Sequence, residues 1–149
     1  MFDRILIAYD DSPEAESALH TGLDLASALR ATTTLVTVLE PLPGYVSIAG
    51  SFAPDLPESM QHERRQHLES LQARAQQEAA NRNVHLKTQI LEAAEVSGIL
   101  NAACTARADL LVVGLRRHTA AEWASTVRHI ANECPCPILA VPCHRKSGT

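Results

Sequence analysis

Residues 4–19, RILIAYDDSPEAESAL, decide the fold. Arg4 to Tyr9 (RILIAY) is a short apolar run of the kind shown by a parallel strand buried on both faces. Asp10-Asp11-Ser12-Pro13 breaks the run. Ser12 suits a helix N-cap, Pro13 suits the first turn, and Glu14 and Glu16 complement the helix dipole. Ala15, Ala18, Leu19, Leu23, Ala26 and Leu29 recur at helical spacing, which predicts a helix from Ser12 to Arg30.

The pattern repeats downstream. Thr33 to Leu39 (TTLVTVL) reads as a second strand, β-branched and apolar. Glu40 to Pro57 is the least regular stretch, with Pro41-Leu42-Pro43-Gly44 near its start; a loop that long in a small domain is usually functional or mobile. Glu58 to Asn81 reads as a surface helix with Met60, Leu68, Leu71, Ala75 and Ala79 on one face. Val84 to Leu91 alternates as an edge strand would. A helix over Ala94 to Ala106, a strand over Asp109 to Val113 ending at Gly114, a helix over Thr119 to Glu133 and a strand over Pro137 to Val141 follow. The tail after Pro142 is polar and is expected to fray. Five strands alternating with four helices predict a three-layer α/β/α sandwich with a parallel sheet, built by right-handed crossovers as one domain over residues 1–149. The ligand site of such a sheet lies beyond the carboxyl ends of its strands, where the loops begin at Asp10, Glu40 and Gly114.

Composition narrows the function. A formal net charge of −4 disfavours general binding to nucleic acid or to an anionic membrane, and 3% aromatic residues leave little to stack on bases. From Gly114 onward Arg116, Arg117, Arg128, Arg145 and Lys146 outnumber Glu122 and Glu133, which reads as a solvated surface rather than an anion site. No apolar run approaches the ~18 residues of a membrane span. The opening strand pattern leaves no place for a signal peptide, and four cysteines are too few for a secreted disulfide scaffold, so the cytoplasm is the expected compartment.

The strand RILIAY with Asp10-Asp11-Ser12-Pro13-Glu14, the segment ADLLVVG at 108–114 and the ending CPCPILAVP at 134–142 together resemble the universal stress protein family, in order and spacing over essentially the whole chain. ATP-binding members carry G-x2-G-x9-G-[ST] after the fourth strand, where glycines let backbone amides close on the phosphates. Here Gly114 matches the first glycine, Arg117 stands at the second, and Ala124-Ser125 stand where the last glycine and Ser/Thr are expected, in a shortened segment. A Cβ at the point of close approach obstructs a phosphate. The run with Trp123, Ser125, Thr126 and Arg128 is similar to the type exemplified by universal stress protein A, which lacks a competent nucleotide loop.

The resemblance therefore implies a non-catalytic dimeric stress-response protein, with no cofactor expected. The dimer would form through the last strand, where Ile138, Ala140 and Val141 match the family's pairing strand. The alternative it implies is a switch that binds ATP or AMP, with Asp10 and Val38 near adenine and ribose, and Gly114, Ser125 and Thr126 at the phosphates. The same residues have plainer readings: Asp10 as a polar strand end, Gly114 as a tight strand-to-loop turn, Ser125 and Thr126 as an N-cap. A third expectation is an unidentified regulatory protein partner bound through residues 40–57.

Other chemistries fit poorly. Cys134-x-Cys136 with Cys143-His144 lacks the wider paired spacing of zinc sites, so no metal is expected and packed or partly exposed thiols are the reading. His118, Glu122, Ser125 and His129 suggest a hydrolase triad only without the G-x-S-x-G elbow, and solvent-facing histidines account for them better. There is neither a G-x-G-x-x-G fingerprint after the first strand nor a P-loop lysine.

Overall fold

The structure, a computed structural model, describes residues 1–44, 48, 52, 55–116 and 120–143, with the backbone alone described over 120–125. Its elements are β1 (Arg4–Ala8), α1 (Pro13–Leu29), β2 (Thr32–Leu39), α2 (Leu56–Asn81), β3 (Leu86–Glu92), α3 (Glu95–Thr105), β4 (Leu110–Leu115), α4 (Ala120–Glu133) and β5 (Ile138–Pro142). The five strands form one parallel sheet in the order β3-β2-β1-β4-β5. The order reverses between β1 and β4, which leaves a crevice at the carboxyl ends of those two strands.

Each strand alternates its side chains between two apolar layers. Ile5 and Ile7 of β1 join Leu35, Leu86, Leu110 and Val112 beneath α1 and α2, which contribute Leu19, Leu23, Leu71 and Ala75. Leu6 of the same strand faces the other way, with Val36, Leu111 and Val113, beneath Ile99 and Ala103 of α3 and Ile130 of α4. Burial on both faces is why RILIAY shows no polar alternation. Burying one of these Leu or Ile side chains contributes about 1.5–3 kcal/mol, so the sheet's two layers supply most of the driving force.

Polar groups set the finer register. Ser12 caps α1 by accepting from the Ala15 N–H at 3.1 Å, with Pro13 in the first turn. Gln72 is buried on the inner face of α2 among alanines and leucine, and its amide donates to Thr37 Oγ1 at 3.2 Å and to the Gln89 carbonyl at 2.9 Å. That pair seats the helix over β2 and β3. Asp109 accepts from the Asp3 and Arg4 N–H groups at 2.8 and 3.0 Å, tying the entry of β4 to the start of β1.

The expected order of elements is the observed one, with shifts at their ends. α2 begins at Leu56 because Pro57 is tolerated in a first turn, β3 begins at Leu86 rather than Val84, and β4 runs past Gly114 to Leu115. Gly114 is thus no turn residue: it pairs with Val141 inside the sheet. The N-cap reading of Ser125 and Thr126 also fails. α4 starts at Ala120, so both residues lie inside the helix, more than a turn past its N-cap position. β3 is an edge strand as its alternation suggests, and β5 is the opposite edge. Residues 45–47, 49–51, 53 and 54 of the 40–57 stretch, residues 117–119 and the tail from 144 onward lie outside the described residues.

Candidate functional site

The carboxyl ends of β1, β2 and β4 open into a cleft of about 660 Å³. Asp10, Val38, Gly114 and Thr126, singled out from the sequence, all line it. The Ser125 side chain lies outside the described residues. The floor is apolar, from Ala8, Val36, Val38, Ile99 and Val113, and it would accept a flat hydrophobic ring. Val38 packs tightly on α3: a Cβ added to Gly98 would stand 2.9 Å from one Val38 methyl.

Around this floor sit groups whose positions follow from helix and strand ends. Asp10 leaves β1 and accepts from the Ser12 N–H at 3.0 Å, forming the turn that starts α1. Gly114 meets that same start from β4. A Cβ there would lie 2.6 Å from the Glu14 carbonyl carbon and 2.8 Å from the Ala15 nitrogen. The glycine is needed because two backbones touch, a strand against a helix terminus.

The rim is ionic, and carboxylates prevail. Among the described residues the lining holds Asp10, Glu14, Glu40 and Glu95 against Arg64 and Arg116. Arg116 Nε donates to Glu14 Oε1 at 2.7 Å, and this bond, with the charge of Glu14, holds the guanidinium firmly protonated. Glu40 Oε1 accepts from the Glu95 N–H at 3.3 Å, at the first turn of α3. Burial raises the Glu95 carboxyl above the ordinary carboxylate range, and the charges of Asp10 and Glu40 raise it further, against the opposing pull of Arg116. Arg64 reaches the cleft from α2 and donates to Gln61 Oε1 at 3.0 Å. Below the rim, Tyr9 donates its hydroxyl to Glu16 at 2.6 Å; burial and that hydrogen bond keep the phenol protonated far above its ordinary range.

Reading the sequence missed Glu95 and Arg64, and gave Glu14 only a helix-dipole role. Glu95 had a signal: it opens the helix after β3, so it follows a strand's carboxyl end just as Asp10 does. Arg64 had none, because a long α2 offers many arginine and glutamine positions with no mark of which one turns inward. Arg116, read from the sequence as part of a solvated surface, lines the cleft and is engaged with Glu14. His129 is exposed, as expected of a solvent-facing histidine, and His118 lies outside the described residues. Cys134 and Cys136 are half-buried, Cys104 and Cys143 exposed. Among the described residues no group of three or more His, Cys, Asp or Glu could hold a metal ion, and no helix is long and apolar enough to cross a membrane.

Residues 1–142 match the family model described as the universal stress protein family. A Thermus aquaticus protein, described as the universal stress protein in the QAH/OAS sulfhydrylase 3′ region, is 31% identical over 144 residues, covering 95% of this chain and 99% of its own length. Among solved structures, the universal stress protein UspA of Lactobacillus plantarum superposes with a TM-score of 0.79 at 21% identity, over 93% of this chain and 97% of that one. An Arabidopsis thaliana universal stress protein family member, solved with AMP bound, superposes with a TM-score of 0.66 at 16% identity, over 99% of this chain and 95% of that one.

Proposed function

The chain belongs to the universal stress protein family, and from that premise we propose that it is a non-catalytic, dimeric stress-response module of the cytoplasm that does not hold ATP tightly. One observation carries the reading: the rim of the cleft is held by carboxylates. A triphosphate brings several negative charges, and it would meet Asp10, Glu40 and Glu95 while Arg116 is engaged with Glu14. Because Glu95 already feels the repulsion of Asp10 and Glu40, further anionic charge beside it is costly. Gly114 adds to the case. Its bare backbone is used up against the start of α1, so it is a packing glycine and needs no phosphate to explain it.

Titration calorimetry with magnesium and ATP tests this. No heat at millimolar nucleotide is expected; a dissociation constant in the low micromolar range or tighter would overturn it. The second reading, a switch bound by AMP or ATP through Asp10, Val38, Gly114, Ser125 and Thr126, is favoured by the apolar floor and by the AMP-bound Arabidopsis relative. Adenosine and AMP in the same titration separate the two readings. Binding of AMP and ATP with similar strength supports the switch, because the rim would then cost the extra phosphates nothing.

Dimerisation through β5 rests on its place at the sheet edge, where Ile138 and Ala140 remain half-buried and, among the described residues, β4 alone is paired with it. Unpaired apolar edges are aggregation hazards, and two-fold pairing covers them. Sedimentation at micromolar concentration should return a dimer, and a clean monomer would refute it.

A further inference from the structure

The turn that joins α4 to β5, Cys134-Pro135-Cys136-Pro137, places two free thiols side by side: Cys134 Sγ and Cys136 Sγ are 3.5 Å apart. Both sulfurs are half-buried and pack against the apolar layer of Leu111, Val113 and Ile130. The chain bends at Pro135 and Cys136 between the end of α4 and the start of β5, and the bend brings the two side chains together. The two proline rings then fix φ and stiffen the turn. At one end Cys134 is anchored by its N–H to the Ile130 carbonyl at 2.8 Å. At the other, the Pro137 carbonyl accepts from the Leu111 N–H at 2.9 Å and locks the entry of β5.

We propose that Cys134 and Cys136 form an oxidisable dithiol that closes to an intramolecular disulfide under peroxide. The sulfurs are already in contact, so forming a bond of about 2.05 Å asks for a shift of roughly 1.5 Å, within a turn whose two ends are held. The chemistry balances. Cys134 thiolate attacks one peroxide oxygen, the O–O bond breaks, and hydroxide leaves and takes a proton as water. Cys136 sulfur then attacks the sulfenic acid sulfur, and the hydroxyl leaves as a second water with the Cys136 proton. Two thiols and one peroxide thus give one disulfide and two waters. Burial and the neighbouring Cys134 sulfur push the Cys136 thiol up, in keeping with a resolving role for it. The disulfide would weld the end of α4 to the start of β5. Thr126, Val127 and Ile130 of that helix line the cleft, so the bond would fix the helix that forms one of its walls.

The test uses the full chain with the exposed Cys104 and Cys143 both replaced by serine, so that only the pair can react. After stoichiometric hydrogen peroxide, alkylatable thiols should fall from two to none, the intact mass should drop by two hydrogens, and dithiothreitol should restore both. In Cys136→Ser, dimedone should trap a persistent sulfenic acid at Cys134. Thiols that stay alkylatable, a mass that rises by oxygen without pairing, or a disulfide between chains on a non-reducing gel would each overturn the proposal. The double-serine protein decides the question even where Cys136→Ser folds poorly.

Discussion

Replacing Gly114 by alanine should unfold the protein earlier, because the added methyl meets main chain. The new methyl would sit 2.6 Å from the Glu14 carbonyl carbon, and 2.8 Å from both the Ala15 nitrogen and the Glu14 oxygen. Optimal carbon contacts lie near 3.5–4.0 Å, so the overlap is about 1 Å against main chain on the far side. Neither side can retreat cheaply. β4 is held by β1 and by the Gly114–Val141 register, and the α1 terminus is held by the Ser12 cap. Overpacking of this kind costs about 1–3 kcal/mol, and rigid backbone on both sides puts the cost at the upper end. For a domain of this size, that is a fall in melting temperature of about 5–10 °C. Gly44→Ala is the control, since nothing lies within 4 Å of its added Cβ. Thermal unfolding followed by circular dichroism, with urea midpoints alongside, reads both. If Gly114→Ala melts within about 1 °C of the parent, the packing argument for this glycine is wrong.

Glu95→Gln should stabilise the fold at neutral pH. The folded state holds the Glu95 proton more tightly than the unfolded chain, so its destabilising charge develops as pH rises through the carboxylate range, and the gain should vanish in acid below about pH 4, as urea midpoints across pH will show. Asp109→Asn should do the reverse: burial raises its carboxyl, but the N–H groups of Asp3 and Arg4 outweigh that and lower it, so the wild-type advantage is present at neutral pH and closes as the carboxylate protonates. A difference that does not narrow in acid would refute that assignment. Arg107 sits at φ 48°, left-handed backbone that glycine adopts freely, so Arg107→Gly should raise stability by roughly 0.5–1 kcal/mol in a urea titration. Gln72→Ala leaves the Thr37 hydroxyl and the Gln89 carbonyl without their buried donor, and should cost about 1–3 kcal/mol by the same measurement.

The alternation of apolar runs with helical periods was enough to determine the element order of this chain, because a strand buried on both faces and an amphipathic helix leave different periodicities. It also marked where chemistry would gather, at the strand-end loops that begin at Asp10, Glu40 and Gly114, while Val38 and Thr126 came from the resemblance to the family; the cleft brings all five together. What those residues face depended on the packing. Periodicity cannot say that β4 slides beside β1 until its glycine touches the start of α1, or that Glu14, a residue apt for a helix dipole, turns to bind Arg116. Nor can it place Glu95 beside Asp10 and Glu40, which are far apart in sequence and meet only because three strands end on one level. The physical reason is range: local pattern fixes each backbone's state within a few residues, whereas charge pairing and backbone-on-backbone approach are settled only when the sheet has chosen its order.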